Sequence, residues 1–386
     1  MSEITRRGFL QGTGKAAVGL GLGSMIAGMS AQSGFAADAD PPEENVEKEG
    51  EGEKHAAKAL RVPMEVTHWP TWLTWVGSTT GCLNALGIDC DTVDVAGHSG
   101  YAFIMNAHKE LHPSGPTAFD WGRLLPGVRG LGRSTLVFSG AHCACELEEA
   151  KEDHKKRVRE ELRTVYDLVS REIEAGRPCV IWGTYAPEFG IAVGVEDDKY
   201  LVAGEKSDAA EPQPPIPFDG LVSPGGTYVL AFPSPVRVVR VDADRNAVSH
   251  ALDMLNYRSS NRDFGTGQAY DTWIAALEAE KAEVFGNSFN TQCWAEAKRF
   301  ARDFVQRLAK RNRPVAAPLN DAAAAYARVA EAMEKVARLF PIDDPEEHVK
   351  DRAIRTEAMN ALRVAKGAEA RAAEALAQAA AKWPED

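Results

Sequence analysis

Two groups of side chains in this chain have the types and spacing for chemistry. Cys82 lies in Gly81-Cys82-Leu83-Asn84-Ala85-Leu86-Gly87, and His98 follows in Gly97-His98-Ser99-Gly100-Tyr101-Ala102-Phe103. A cysteine is a nucleophile when a base or a helix N-terminus holds it as thiolate. Cys82 with His98 as base is therefore one candidate catalytic pair, suited to a cysteine hydrolase or acyl transferase. The second group is Ala141-His142-Cys143-Ala144-Cys145-Glu146. His142, Cys143 and Cys145 place three soft ligands within four residues, a set able to hold a single zinc or copper ion. Cys-x-Cys is a poor local chelate for tetrahedral zinc, and the chain contains no Cys-x-x-Cys and no haem-attachment motif. A chain without a cofactor is accordingly the simpler expectation. Asp89, Asp91 and Asp94 share one short loop, but without the alternation and glycine of a calcium hand, and read as solvated.

The elements that must position these groups can be read from periodicity. Ser78 or Thr79 is placed to cap a short helix through Leu86, ended by Gly87. Trp69, Trp72 and Trp75 recur every three residues ahead of it, the spacing of a packed stripe. Val158, Leu162, Val165, Val169 and Ile173 make the apolar face of a longer helix closed by Gly176. Strands are expected at 135–138, 179–182, 190–195, 200–203, 227–231 and 236–241, with Glu196-Asp197-Asp198-Lys199 turning a hairpin. From Ala247 the pattern is helical. Asn290 is expected to cap a helix running to about Lys310. Two Ala-rich helices follow, separated by a break over Pro341–Glu347, and their small residues favour close antiparallel packing. Cys179, inside an apolar run, reads as a small core residue. Cys82 and Cys90 are candidates for a disulfide, whereas a bridge across one residue between Cys143 and Cys145 would be strained.

Three stretches carry a resemblance. The segments 81–87 and 97–103 resemble the start of the papain-like domain at the N-terminus of the butirosin-biosynthesis acyltransferase and its relatives, in which a cysteine opens a helix and a glycine-rich segment follows. The run from Ile173 to Trp182 resembles that family's helix leading into its central strand. Glu188-Phe189-Gly190-Ile191-Ala192-Val193-Gly194-Val195-Glu196-Asp197-Asp198 resembles the HxxxVxGYDD strand of bacterial papain-like peptidases. The resemblance covers roughly residues 70–240. It implies a papain-like fold, with the catalytic histidine position occupied by Glu188 and the nucleophile position falling near Gly77 or Ser78. What it implies is a catalytically altered domain that binds a peptide or small ligand. An enzyme using Cys82 and a metal-binding protein using His142, Cys143 and Cys145 stay open as alternatives.

The N-terminus states an address. Arg6-Arg7 with Gly8-Phe9-Leu10 resembles a twin-arginine export signal, and residues 16–29 form an uncharged apolar run with small residues behind it at 34–37. The run is too short to span a bilayer well. The chain is therefore expected to pass through the twin-arginine translocation machinery, already folded, into the periplasm or the exterior, and to leave the membrane on cleavage. Its net charge is −12; residues 1–36 contain Arg6, Arg7, Lys15 and Glu3, so the remaining 350 residues sit near −14. That acidity argues against nucleic acid and anionic lipid as partners. The expected organisation is a signal peptide over 1–36 and a flexible acidic linker over 37–58. A papain-like α+β domain over 59–245 follows, then an all-helical domain over 246–386 that ends in an Ala-rich hairpin.

Overall fold

The computed structural model describes residues 59–148, 150–204, 214–259, 261–265, 268–343 and 345–384. Arg6, Arg7, the apolar run behind them and the acidic segment 37–58 lie outside the described residues.

The chain is a mixed α+β protein: an antiparallel sheet of seven strands, followed by a region built almost wholly of helices. The sheet contains β1 (Leu60–Arg61), β2 (Leu136–Ser139), β3 (Cys179–Trp182), β4 (Phe189–Glu196), β5 (Lys199–Ala203), β6 (Ile216–Pro217) and β7 (Tyr228–Ala231). Its order is β2-β7-β3-β4-β5-β6, with β1 paired to β4 beside that path. β3, β4 and β7 are the most buried strands, which is why they read as continuous apolar runs rather than alternating ones. The β4–β5 hairpin turns at Asp197 and Asp198, both at positive φ, a conformation that Asp tolerates better than most residues.

Two helices flank the sheet from opposite sides. α1 (Thr74–Ala85) packs on β3 and β4, and a wholly buried Trp75 anchors it. α2 (Thr92–His98) and the short α3 (Leu125–Arg129) follow. α4 (Glu152–Glu174) covers the other face, its Val165, Val169 and Ile173 meeting Cys179, Ile181 and Val229 in a second, smaller core. The remaining helices are α5 (Arg240–Asn256), α6 (Ala269–Glu278), α7 (Val284–Arg311), α8 (Ala316–Leu339), α9 (Pro345–Lys350) and α10 (Arg352–Lys382). α8 and α10 form the expected antiparallel Ala-rich pair. Lys335 meets Glu357 at 2.8 Å near the turn, Tyr326 lies beside Glu369 midway, and Val315 shares a cavity wall with Trp383 at the far end. One continuous core runs from Leu73, Trp75 and Trp121 through Phe304 to Leu376 and Trp383, so the sheet region and the helical region share their interior.

Four expectations are corrected. α1 begins at Thr74, not at Ser78 or Thr79, which are wholly buried inside it. Its start is held instead from far along the chain, by Glu296 Oε2 accepting from the Leu73 N–H at 3.1 Å. Residues 236–241 are not a strand. Val238, Val239 and Val241 are exposed, and helix α5 starts at Arg240, six residues before the expected start of the helical region at 246. Asn290 does not cap α7. It is buried within it, and its Nδ2 donates to the carbonyls of His112 (3.0 Å) and Gly286 (2.6 Å), tying the helix to the loop at 111–112. The loop aspartates are not merely solvated: Asp91 caps α2 through the Asp94 N–H and accepts from Nη1 and Nη2 of Arg307, each at 2.7 Å.

Candidate functional site

The polar corner under the sheet is built where α1 starts and β4 starts. Thr74, the first residue of α1, donates its hydroxyl to Glu188 Oε2 at 2.5 Å and accepts from the Phe189 N–H at 3.1 Å. Both side chains are buried. Glu188 is the residue that the papain-like resemblance sets at the histidine position, so the structure brings that position to a helix-opening residue. That residue is Thr74, three places ahead of Gly77. Neither implied nucleophile position is open. A Cβ at Gly77 would lie 1.9 Å from the Trp69 carbonyl oxygen, and Ser78 is wholly buried within the helix. The Thr74 hydroxyl has its donor and acceptor roles both taken, and it joins helix to sheet as a structural tie.

Beside this corner lies an aromatic cleft. Phe119, Trp121, Trp182, Phe189 and Tyr228 line it, with Ser114, Thr117, Ser259 and Asn261 supplying its polar edge. Phe119 and Trp121 are stacked at 4.8 Å between centroids, while Trp182 and Phe189 meet at 4.7 Å and Trp121 and Phe189 at 4.9 Å. The rings are fixed by hydrogen bonds: Trp121 Nε1 to the Thr117 carbonyl (2.8 Å), Trp182 Nε1 to the Pro224 carbonyl (3.2 Å), and Trp75 Nε1 to the Tyr228 hydroxyl (3.3 Å). Glycine is required at the rim, because Gly226 has φ +113° and a Cβ there would lie 2.2 Å from the Gly140 carbonyl oxygen. The cavity measures about 70 Å³. Sites for drug-sized molecules run to roughly 300–1,000 Å³. This cleft therefore admits one small group of a ligand rather than a whole one.

The cysteine–histidine pair read from the sequence is not brought together. Cys82 is in the last turn of α1, not at its N-terminus, and is wholly buried. Burial pushes its thiol well above the ordinary value, and neighbouring Cys179 adds to the effect. His98 is buried at the end of α2, and the groups around it are Asp244 at 4.0 Å, Arg240, Arg311 and the ring of Phe304. Burial pushes its pKa down to about 4, against the pull of Asp244. Asp244 itself accepts from Nε and Nη2 of Arg311, at 2.6 and 2.7 Å, and from Asn312. This is an ion cluster of the interior, not a base waiting for a thiol. Cys82 and Cys90 are not joined to each other, so the expected disulfide between them does not form.

The His142–Cys145 loop differs from the ligand set read from its sequence. Cys143 and Cys145 are joined as a disulfide, which removes both thiolates as metal ligands. His142 instead faces Glu146, with Nδ1 3.3 Å from Oε2, and the same oxygen is 2.6 Å from His154 Nε2. His154 comes from the first turn of α4, twelve residues beyond His142, so adjacency in the sequence does not reveal it. Its signal is the spacing: a one-turn helix followed by a helix start folds His142, Glu146 and His154 onto one rim.

No protein-family model matches the chain, and no curated protein matches it.

Proposed function

We propose that this chain is an exported binding protein on a papain-like frame whose catalytic positions serve structure, and that it grips a peptide or small ligand by one small apolar group in the aromatic cleft. The observation that carries this reading is the Thr74–Glu188 hydrogen bond. It occupies the corner where a papain-like enzyme needs a free nucleophile and base, and it leaves the aromatic cleft alongside as the feature able to take a ligand. The six aromatic side chains around the cavity, Phe264 completing the five named above, favour an aliphatic side chain or a methylated cation, the latter through the ring faces. Export is supported by Arg6-Arg7 and the apolar run behind them. No helix among the described residues is long and apolar enough to cross a membrane.

The test is a titration of tryptophan emission with N-acetyl amides of valine, leucine and trimethyl-lysine. Saturable changes are expected for at least one probe. Ser259→Trp, which fills the mouth from a half-buried position, should weaken that probe tenfold or more while leaving the circular dichroism unchanged. A wild-type protein that responds to no probe, or a response that Ser259→Trp leaves intact, would remove the cleft as the binding site.

A further inference from the structure

We infer that His142, Glu146 and His154 form a binding site for a divalent first-row transition metal, zinc(II) or copper(II), on the rim of the sheet region. The three ligand atoms lie within 4.8 Å of one another. Two imidazoles and one carboxylate are a donor set that both metals accept. The distances are close to those a bound ion needs. Bonds of about 2.0–2.1 Å in a tetrahedron set neighbouring donors roughly 3.3 Å apart. His142 Nδ1 and Glu146 Oε2 are already at 3.3 Å, and His154 Nε2 must open from 2.6 Å from the same oxygen.

The surroundings hold the donors in place. Glu146 uses its other oxygen, Oε1, to accept from the Cys143 N–H at 2.8 Å, so Oε2 is the oxygen turned toward both rings. Glu161 accepts from the backbone N–H groups of Ala141 (3.3 Å) and His142 (3.0 Å) and from the Thr227 hydroxyl (3.0 Å), which fixes the loop to the sheet. The three side chains are 27, 32 and 31 % exposed, so an ion can enter from water, and three protein donors leave a coordination position open. One contact opposes the site: Arg157 lies 3.5 Å from His154 Nδ1, which must carry the ring proton once Nε2 binds metal. Arg157 must therefore swing aside, and its removal is expected to tighten binding.

Zinc chloride and copper sulfate are the probes, added to the full metal-free chain and followed by native mass spectrometry and titration calorimetry. One ion per chain is expected, with His154→Ala and Glu146→Gln each lowering affinity tenfold or more and Arg157→Ala raising it. The double variant Cys143→Ser/Cys145→Ser separates this ligand set from one using sulfur. The ion should be retained in that variant, and the copper-bound form should show nitrogen hyperfine coupling in its electron paramagnetic resonance spectrum. Three outcomes overturn the site: no ion bound by the wild type, an affinity that His154→Ala leaves unchanged, or binding lost when the cysteines are replaced. The first would leave His142, Glu146 and His154 as a hydrogen-bonded trio.

Discussion

The Thr74–Glu188 corner and the His142–Glu146–His154 rim bring together comparable chemical groups in opposite settings. In the corner, a hydroxyl and a carboxyl are buried and hydrogen-bonded to each other and to the backbone. On the rim, a carboxylate and two imidazoles converge while a third of each side chain still meets water. Burial pushes the Glu146 carboxyl up, but the Cys143 N–H and the two imidazoles outweigh it and hold the group below its ordinary value. Polar groups that satisfy one another in the interior hold the fold, because leaving any of them unmade costs about 1–3 kcal/mol. Polar groups that converge at the surface can exchange protons for an ion. Residue type alone does not distinguish the two cases; the environment does.

Removing one side of the corner should have the largest effect. Thr74→Val deprives both Glu188 Oε2 and the Phe189 N–H of a partner, and a loss of about 2–4 kcal/mol in unfolding free energy is expected from urea titration. A loss below about 1 kcal/mol would show that the corner is not a tie. A close second is pH. His98 is held below its unfolded value of about 6.5, at about 4, so unfolding takes up a proton in that window. Its contribution is fully present above pH 6.5 and is lost as the pH falls toward 4, by about 3 kcal/mol at most. His108, His112 and His250 are lowered as well, all chiefly by burial, so the comparison is between wild type and His98→Asn. The variant should lose less stability on acidification; parallel curves would deny His98 its part. The smallest effect belongs to the surface. Arg307→Ala breaks the bidentate pair with Asp91, and about 1 kcal/mol or less is expected because both partners are partly solvated. A larger loss would make that loop part of the interior account.

Much of the frame was legible because the patterns were local. The β3 strand, the β4–β5 hairpin and the Ala-rich helical pair all stand where apolar runs, turn residues and spacing put them. The start of α1 was not legible, since the cap-like Ser78 and Thr79 are buried interior, and the anchor of Leu73 is a carboxylate 223 residues away. The run 236–241 misled because β-branched propensity is weak beside tertiary context. At the sites, Glu188 could be noticed by resemblance, but its partner Thr74 only by folding β4 against α1. His142 and Glu146 stand together in one short stretch of sequence; His154 joins them only through the helix start that brings it back. The cysteines drew attention by their reactivity as a residue type, and burial or pairing has since removed that reactivity.

Whether this chain binds through its cleft or reacts through a cysteine is tested most directly by iodoacetamide labelling of the native protein at pH 6 to 8, read residue by residue by mass spectrometry. Cys82 is expected to stay unlabelled until denaturant is added, as are Cys90, Cys179 and Cys293, since all four are buried. Rapid, stoichiometric labelling of Cys82 in the folded protein would mean an activated thiol, and would contradict the reading of this domain as a binding frame.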